Sequence, residues 1–516
     1  MVKLAERRSV LVLIDNNRTV ERAFGLQSQY LIYKDNIMLK PISLVGEQRK
    51  VLTLSHEGPI QIKGAAGSGK TTVAVYRACH LMDTYNDIFE PSKVAIFTFN
   101  KSLSGYLYSL THDLNSNDYR DMKIINFHKW AFSFIKSSGK DLYGKTICTN
   151  EIHRIVRIII SNTPKTPENT RILTKTMDFY SDEISWLKGK NIRTLQQYLD
   201  TKRIGRGTTD RITGTDKHML WHLFDTYNQE LQRLGNYDFD DYALLCLDII
   251  QNKGNTFSPP FTHLVIDEAQ DLNQAQLSVL IKIVSPTTSS ITIIADAAQR
   301  IYKSGFSWKE IGLNVRGART VEFKKNYRNS EFIAKAALSL LKYDNDSDDF
   351  TAVEVNNIGG KKTGVKSLIN IYEEQLFIAN QLDNIRSNFP QDSICVLHRT
   401  NNGLSSLVKF LENKKIKIDK INGNSTVNYS ESSIKVSTMQ SVKGLEFDHL
   451  IISGLTDDVL PIKAGFSEPD DDLHITTERR LLYTCMTRAI KGLTLTYAGV
   501  PSRYLAEIDP DFLESI

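Results

Sequence analysis

Residues 60–71 read Ile60-Gln61-Ile62-Lys63-Gly64-Ala65-Ala66-Gly67-Ser68-Gly69-Lys70-Thr71, and the helical run Thr72 to Met82 follows directly. A β-branched strand, a glycine-rich turn and a helix in that order match GxxxxGK[ST] in the setting the motif requires. Glycines let backbone N–H groups close around phosphate oxygens without Cβ clashes, and the helix N-terminus adds a favourable dipole. The stretch therefore reads as a phosphate loop, Gly64, Ala65, Ala66, Gly67, Ser68, Gly69, Lys70, Thr71 and Thr72. Lys70 would reach the β and γ phosphates of a nucleoside triphosphate, and the Thr71 hydroxyl would ligate Mg²⁺.

Downstream, the apolar strand Leu264-Val265-Ile266 delivers Asp267-Glu268-Ala269-Gln270-Asp271 at its end. An acid there can hold the cation, and its neighbour can orient and deprotonate an attacking water. Asp267 takes the first role and Glu268 the second. A helix N-cap with carboxylates in its first turn looks similar, and the coupling to the phosphate loop is what favours the catalytic reading.

Short β-branched runs ending in polar residues recur at Ile60 to Lys63, Val94 to Phe97, Leu264 to Ile266 and Ile291 to Ile294. A second set lies at Ile394 to Leu397, Ile434 to Val436, Leu450 to Ile452 and Leu493 to Tyr497, with helical stretches such as Gly403 to Asn413 between them. Two doubly wound α/β sheets in series account for this order. Residues 131–235 carry almost no strand pattern and read as a helical insertion in the first α/β domain, with amphipathic stretches at Asn150 to Ile160 and Met219 to Leu234. Its loops are expected at Ser161 to Asn169 and Gly205 to Asp216. Asp344 to Asp349, Gly359-Gly360 and Glu468 to Asp472 read as solvated loops, and Lys414, Lys415, Lys417 and Lys420 as a solvated basic face.

The whole chain has 516 residues, 41% hydrophobic and 24% charged, with a net charge of +5. That composition excludes a strongly basic nucleic-acid coat and an acidic disordered chain, so any nucleic-acid contact is a local patch. Five scattered cysteines without a CxxC pair suggest neither a zinc ribbon nor a disulfide framework, and fit a reducing cytoplasm. Val10 to Ile14 is too short for a signal-peptide core or a membrane span, so no membrane partner is expected. Cys485 reads as buried and inert.

A phosphate loop followed by DEAQD resembles the UvrD/Rep type of superfamily 1 helicases, and the remaining motifs of that family occur in order between about residues 44 and 498. Gln48 resembles the adenine-reading glutamine. Phe97-Thr98-Phe99-Asn100-Lys101 and Asn126-Phe127-His128-Lys129-Trp130 look like strand-contacting segments, and Asp238-Phe239-Asp240-Asp241-Tyr242 is similar to the family's DFDD stretch. Ala295 to Tyr302 resembles the segment whose glutamine, here Gln299, senses the γ-phosphate and whose aromatic, Tyr302, touches the strand. Asn326-Tyr327-Arg328-Asn329 implies Tyr327 stacking on adenine and Arg328 on the γ-phosphate. Val442-Lys443-Gly444-Leu445-Glu446-Phe447 assigns Gly444 and Glu446 to the nucleotide. Glu478 to Ala489 is close to the last motif and makes Arg488 a second arginine finger. The resemblance implies two RecA-like P-loop domains (44–130 with 236–322, and 323–516), ATP and Mg²⁺ as cofactors, and 3′ to 5′ movement on single-stranded DNA or a 3′-tailed duplex.

Several departures qualify the carry-over. Thr98 stands where the family usually has an aromatic, between Phe97 and Phe99, so the nucleic-acid-facing set is Thr98, Phe99 and Asn100 with the ring left open. Ser304 replaces a second aromatic after Tyr302, and Trp308 is either the substitute stacking platform or a core residue. His128 is likewise either a strand contact or a core histidine, and Gln440 stands where the family often has His. From Arg328 to Gly444 there are 116 positions, enough for the second α/β domain but not for the family's large second insertion. Residues 1–43 form an extension the resemblance does not explain. The compact layout keeps a rival open, in which the ATPase switches a nuclease or other protein partner in a bacterial defence or repair complex. RNA in place of DNA also stays open.

Overall fold

The computed structural model describes residues 44–85, 91–98, 122–202, 212–296, 298, 311–313, 315, 319–344, 350–351, 353–421, 433–462 and 472–516. Residues 1–43, Phe99, Asn100, Gln299, Tyr302 and Trp308 lie outside the described residues.

The phosphate-loop strand β1 (Pro59–Gly64) is followed by α1 (Lys70–Thr84), β2 (Val94–Thr98), β3 (Lys123–Asn126) and α2 (Phe127–Ser137). Helices α3 (Thr149–Asn162), α4 (Thr170–Leu173), α5 (Met177–Gly189), α6 (Leu195–Asp200) and α7 (Gly214–Leu234) come next. The chain then re-enters the first sheet through α8 (Asp241–Lys253), β4 (His263–Ile266), α9 (Gln274–Lys282), β5 (Ser290–Ala295) and β6 (Thr320–Phe323). The strands pair in the order β3-β2-β4-β5-β1-β6, all parallel. Parallel sheets are covered on both faces, and β2, β4 and β5 are accordingly buried at every position. The two-residue period separates the faces. Ile96, Val265 and Ile294 pack with Val73, Ala74, Ala78 and Leu81 of α1, whereas Phe97, Leu264, Ile266 and Ile293 pack with Leu247, Leu277 and Leu280 of α8 and α9.

A two-stranded parallel ribbon, β7 (Lys325–Asn326) with β8 (Glu354–Val355), flanks α10 (Glu331–Leu341). The second domain continues with β9 (Thr363–Leu368), α11 (Ile371–Asn388), β10 (Ile394–His398), α12 (Asn401–Asn413), β11 (Ile418–Ile421) and β12 (Ile434–Thr438). It closes with β13 (Phe447–Ser453), α13 (Asp472–Met486), β14 (Ala489–Ala498), α14 (Arg503–Glu507) and β15 (Leu513–Ser515). The sheet order is β11-β12-β10-β13-β14-β9-β15. Cys395, Leu397, Leu450, Ile452 and Leu495 share one continuous core with α1, α10 and α13, while Ile394, Val396, Val436 and Ile451 face α11 and α12.

Four expectations need correction. The boundary at 130/131 falls inside α2, whose Ala131 and Ile135 pack in the first domain's core with Leu142; the separate helical core runs from Ile147 to Leu231. Gly214 to Asp216 form the first turn of α7 and not a loop, because Thr213 caps the helix and the Asp216 carboxylate accepts from the Thr213 N–H at 2.8 Å. β6 runs through the 322/323 boundary, with Phe323 opposite Gly64. Asp344 is not solvated: it is 4% exposed and bound by Arg480 through two hydrogen bonds of 2.7 Å. The Lys414, Lys415, Lys417 and Lys420 face is exposed, as expected.

The helical core is fastened to the first domain by a buried charge set. Lys188 on α5 donates to Asp238 at 2.7 Å and Asp241 at 2.6 Å, and the Tyr227 hydroxyl donates to Asp238 at 2.9 Å. Burial alone would depress the Lys188 ammonium, but Asp238 and Asp241 reverse this and hold it above its ordinary value. Burial, with Asp238 alongside, pushes the Asp240 carboxyl up to about 7. Removing one partner of such a set leaves a buried charge uncompensated, which costs about 3–5 kcal/mol. Lys188→Met should therefore lower the urea unfolding midpoint, and adding Asp238→Asn should restore part of the loss; additive losses in the double variant would show that the two residues are not coupled.

Candidate active site

Gly67 and Gly69 have φ of 73° and 79°, a region side chains avoid. Space forbids a side chain as well: a Cβ at Gly67 would lie 2.3 Å from Asn326 Oδ1, and one at Gly69 would lie 2.5 Å from Gln48 Nε2. The loop is thus gripped from both sides. Gln48 sits in the 3₁₀ helix Gly46–Thr53, accepts from Val45 N at 3.0 Å and donates to Ser68 O at 2.7 Å. Buried Arg77 of α1 holds the end of that 3₁₀ helix by donating to the carbonyls of Val51, Leu54 and Ser55. From the second domain, Tyr327 N donates to Gly67 O at 2.9 Å, and buried Tyr483 shares a core with Ala66 of the loop.

Lys70 is 8% exposed and donates to Gly64 O and Ala65 O, both at 2.8 Å, and to Asp296 Oδ2 at 2.9 Å. Thr71 and Asp267, expected to share the cation, are neighbours, and the Thr71 hydroxyl is close enough to favour the Asp267 carboxylate. Asp267 Oδ2 and Ser68 Oγ are buried without a hydrogen-bond partner, and Thr72 follows in the first turn of α1. Orphaned buried oxygens beside a glycine-rich loop and the buried Lys70 ammonium fit a phosphate with a hard divalent cation. Burial, reinforced by the Glu268 charge, pushes the Asp267 carboxyl up to about 7.

Glu268 adopts φ 53° and ψ 39°, unusual for a residue with a side chain, and this turns its carboxylate off the end of β4. Gln270 donates to Glu268 Oε2 at 2.5 Å and accepts from Asp296 N at 3.2 Å, linking the ends of β4 and β5. Burial would raise the Glu268 carboxyl, but Lys443, Arg488 and Lys70 outweigh it and hold the group below its ordinary value. The two acids are thereby separated: Glu268 is held toward its ionised form and Asp267 toward its protonated one.

The second domain supplies the positive charge. Lys443 lies 2.6 Å from Asp271 Oδ2 and 3.6 Å from Glu268 Oε2, all three side chains buried. Arg328 donates to Glu446 and, at 3.5 Å, to Thr487 O. Arg488, 3% exposed, donates from Nε to Thr484 O at 3.0 Å, and burial lowers its guanidinium pKa. Gly444 turns the chain ahead of Glu446 with φ 83°. Sequence reasoning named Gln48, Lys70, Asp267, Glu268, Tyr327, Arg328, Glu446 and Arg488, and they converge on this cleft. It assigned no role to Gln270, Asp271, Asp296, Lys443 or Tyr483. Lys443 and Asp271 stood inside quoted motifs, but their pairing joins positions far apart in the chain.

Away from the cleft, Thr98 is fully buried at the end of β2, whereas His128 is half-buried in the first turn of α2. The His128 ring lies edge-on to Phe239 and Tyr242, with centroids 5.6 and 5.9 Å away, and Phe239 is 54% exposed. Trp130 is a core residue, stacked on Phe134 at 5.0 Å.

The family model described as UvrD/REP helicase N-terminal domain matches residues 44–309, and that described as UvrD-like helicase C-terminal domain matches 321–426 and 410–499. The chain is 22% identical over 394 residues to a probable DNA helicase II homolog of Mycoplasma capricolum subsp. capricolum, covering 74% of this chain and 52% of that protein. It is 24% identical over 359 residues to the ATP-dependent DNA helicase PcrA of Leuconostoc citreum, covering 67% of this chain and 45% of that one. A probable DNA helicase of Mycoplasma pneumoniae is 22% identical over 500 residues, 91% of this chain and 88% of its own. The chain spans about half the length of the first two relatives. With both family models laid over the two sheets that form the cleft, the chain belongs to the UvrD/Rep type of superfamily 1 helicases.

Proposed function

We propose that this protein is an ATP-dependent, Mg²⁺-requiring DNA motor that couples hydrolysis to 3′ to 5′ movement along single-stranded DNA or a 3′-tailed duplex in the cytoplasm. The observation that carries the reading is the division of one cleft between two domains. Lys70, Thr71, Asp267 and Glu268 come from one sheet, and Lys443, Arg328 and Arg488 from elements of the other. ATP bound there meets the phosphate loop on one side and the arginines on the other, with Gln48 and Tyr327 beside the adenine position and Gly444 and Glu446 beside the ribose. Thr71 and Asp267 would hold Mg²⁺, which supplies Lewis-acid charge neutralisation at the phosphates. Glu268 orients and deprotonates water, Arg328 and Arg488 stabilise the charge that develops on the γ-phosphate, and Gln299 senses that group. Loss of the γ-phosphate removes the contact that closes the cleft, and the domains shift relative to one another.

The strand is proposed to cross the carboxyl ends of the parallel strands, the usual ligand edge of such sheets. His128 beside the exposed Phe239 ring supports that placement, with Phe99, Asn100, Tyr302 and Trp308 completing the candidate track; Thr98, fully buried at the end of β2, offers a strand no surface and is dropped from it. Stacking on rings is tolerant of sequence, and phosphate contacts make binding salt-sensitive.

A second reading is favoured by one observation. β11 and β12 are adjacent parallel strands, and residues 422–433 are all that lie between them. Without a second insertion the chain is suited to act as an ATPase switch for a nuclease or other partner, with little unwinding alone. No helix among the described residues is long and apolar enough to cross a membrane.

Steady-state ATP hydrolysis should rise strongly with single-stranded DNA, and Glu268→Gln should lower kcat by about 10²–10⁴-fold with ATP binding retained. Turnover that is indifferent to DNA and RNA alike would defeat the motor reading and favour the switch. Asp267 also carries a stability penalty. Its folded pKa, near 7, is raised above the unfolded value, so the penalty is absent below pH 4, grows as pH rises to 7 and is constant above. Asp267→Asn should therefore raise the metal-free melting temperature by more at pH 8 than at pH 5 while abolishing hydrolysis; an equal gain at both pH values would contradict the assigned protonation.

A further inference from the structure

Glu478, Arg479 and Arg480 are consecutive on α13, and consecutive side chains leave a helix about 100° apart, in three directions. Each is held by two hydrogen bonds to a different element. Arg399, at the end of β10, donates to Glu478 at 2.7 and 2.8 Å. Arg479 donates to Glu507 of α14 at 2.6 and 2.9 Å. Arg480 donates to Asp344, just beyond α10, at 2.7 Å through both nitrogens. Paired forks of this kind constrain direction as well as distance.

The Asp344–Arg480 pair is the most enclosed of the three, with side chains 0% and 6% exposed, and the Arg480 guanidinium also lies 5.3 Å from the Phe350 ring centroid. It joins the two elements that carry the cleft's arginines. Arg328 stands just before α10, and Arg488 just after α13. Near the arginines the elements are joined again: Asn329 Nδ2 donates to Thr487 O at 3.0 Å and to Ala489 O at 2.5 Å. Between the two fastenings Ile333, Ala337, Leu340, Leu481 and Leu482 share one core. Two guanidinium groups aimed at the same site repel each other, so a fixed mutual placement has to be imposed by their supports.

We infer that Asp344 and Arg480 are positioning residues, which lock α10 to α13 and so present Arg328 and Arg488 to the γ-phosphate as one unit. The inference rests on the reading of those two arginines given above. Misplacing a catalytic group by about 1 Å can cost 10²-fold in rate without weakening substrate binding comparably.

The test is a double-mutant cycle on the full chain, read as kcat and KM for ATP at saturating single-stranded DNA. Asp344→Asn should lower kcat by about five- to fifty-fold with KM changed by less than about two-fold, and Asp344→Glu should recover much of the loss. In an Arg488→Ala background, Asp344→Asn should lower kcat by a clearly smaller factor than in the wild type, because one of the two groups it positions is gone. Equal fold losses in both backgrounds, or an unchanged kcat in Asp344→Asn, would overturn the inference while leaving Arg488 in its role. Wild-type turnover by Arg488→Ala would overturn the reading of Arg488 and the inference with it. Should Asp344→Asn fail to fold, Arg480→Lys, which keeps the charge but not the fork, enters the same cycle with the same expectations.

Discussion

The loop from Gly64 to Gly69 is the joint on which the molecule turns. Its conformation depends on two glycines with positive φ, and its close approach to Gln48 on one side and Asn326 on the other leaves no room for a Cβ at either. Because Asn326 and Tyr327 lead into the second domain, the glycine-rich loop is also a surface where the two domains meet. Asn326 Oδ1 in turn accepts from Arg328 N at 2.9 Å and Asn329 N at 3.0 Å, so the contact with the loop and the aim of Arg328 are set by one side chain.

The cleft balances its own charge. Lys70 lies on Asp296, Lys443 on Asp271 and Glu268, and Arg328 on Glu446. Burying charges is costly unless they are paired, and these cations are held by carboxylates that a triphosphate can replace. The sign of the two shifted acids follows from the same arrangement. Glu268 has several cations near it and is held ionised, whereas Asp267, deeper and next to Glu268, takes up a proton more readily. Position relative to the second domain's cations, and not residue type, sets the two carboxyl groups apart.

The legible part of this fold is the part whose signal is local. Strands buried on both faces, such as Val94–Thr98 and Ser290–Ala295, are continuous apolar runs and announce themselves. The edge strands Lys123–Asn126 and Thr320–Phe323 have exposed or half-exposed positions and mixed composition, so no run marks them. The phosphate loop and the carboxylate pair are likewise compact in sequence and were assigned from it. Asp344 was misread because a charge run looks solvated until its partner is known, and that partner, Arg480, lies 136 residues away. Lys443 escaped for the same reason: its worth depends on meeting Asp271 across the cleft, a fact of tertiary structure.

The mechanical consequence follows from which parts are fastened together. Lys188 ties the helical core to the segment Asp238–Asp241, and a Cβ at Gly189 would lie 3.2 Å from Asn273 Cβ, so α5 also lies close against the chain just beyond Asp271. The helical core and the first sheet therefore move as one body. In the second domain, the residues between Ile421 and Ile434 are too few to build a core of their own. Edge strand β11 is guarded by exposed Lys417 and Lys420, a composition that discourages strand addition there. The arginine-bearing second domain therefore faces a first domain whose sheet and helical core are fastened to each other. Charge is divided in the same way: the first domain carries the acids Asp267, Glu268 and Asp271, and the second carries Lys443, Arg328 and Arg488, which meet them across the cleft.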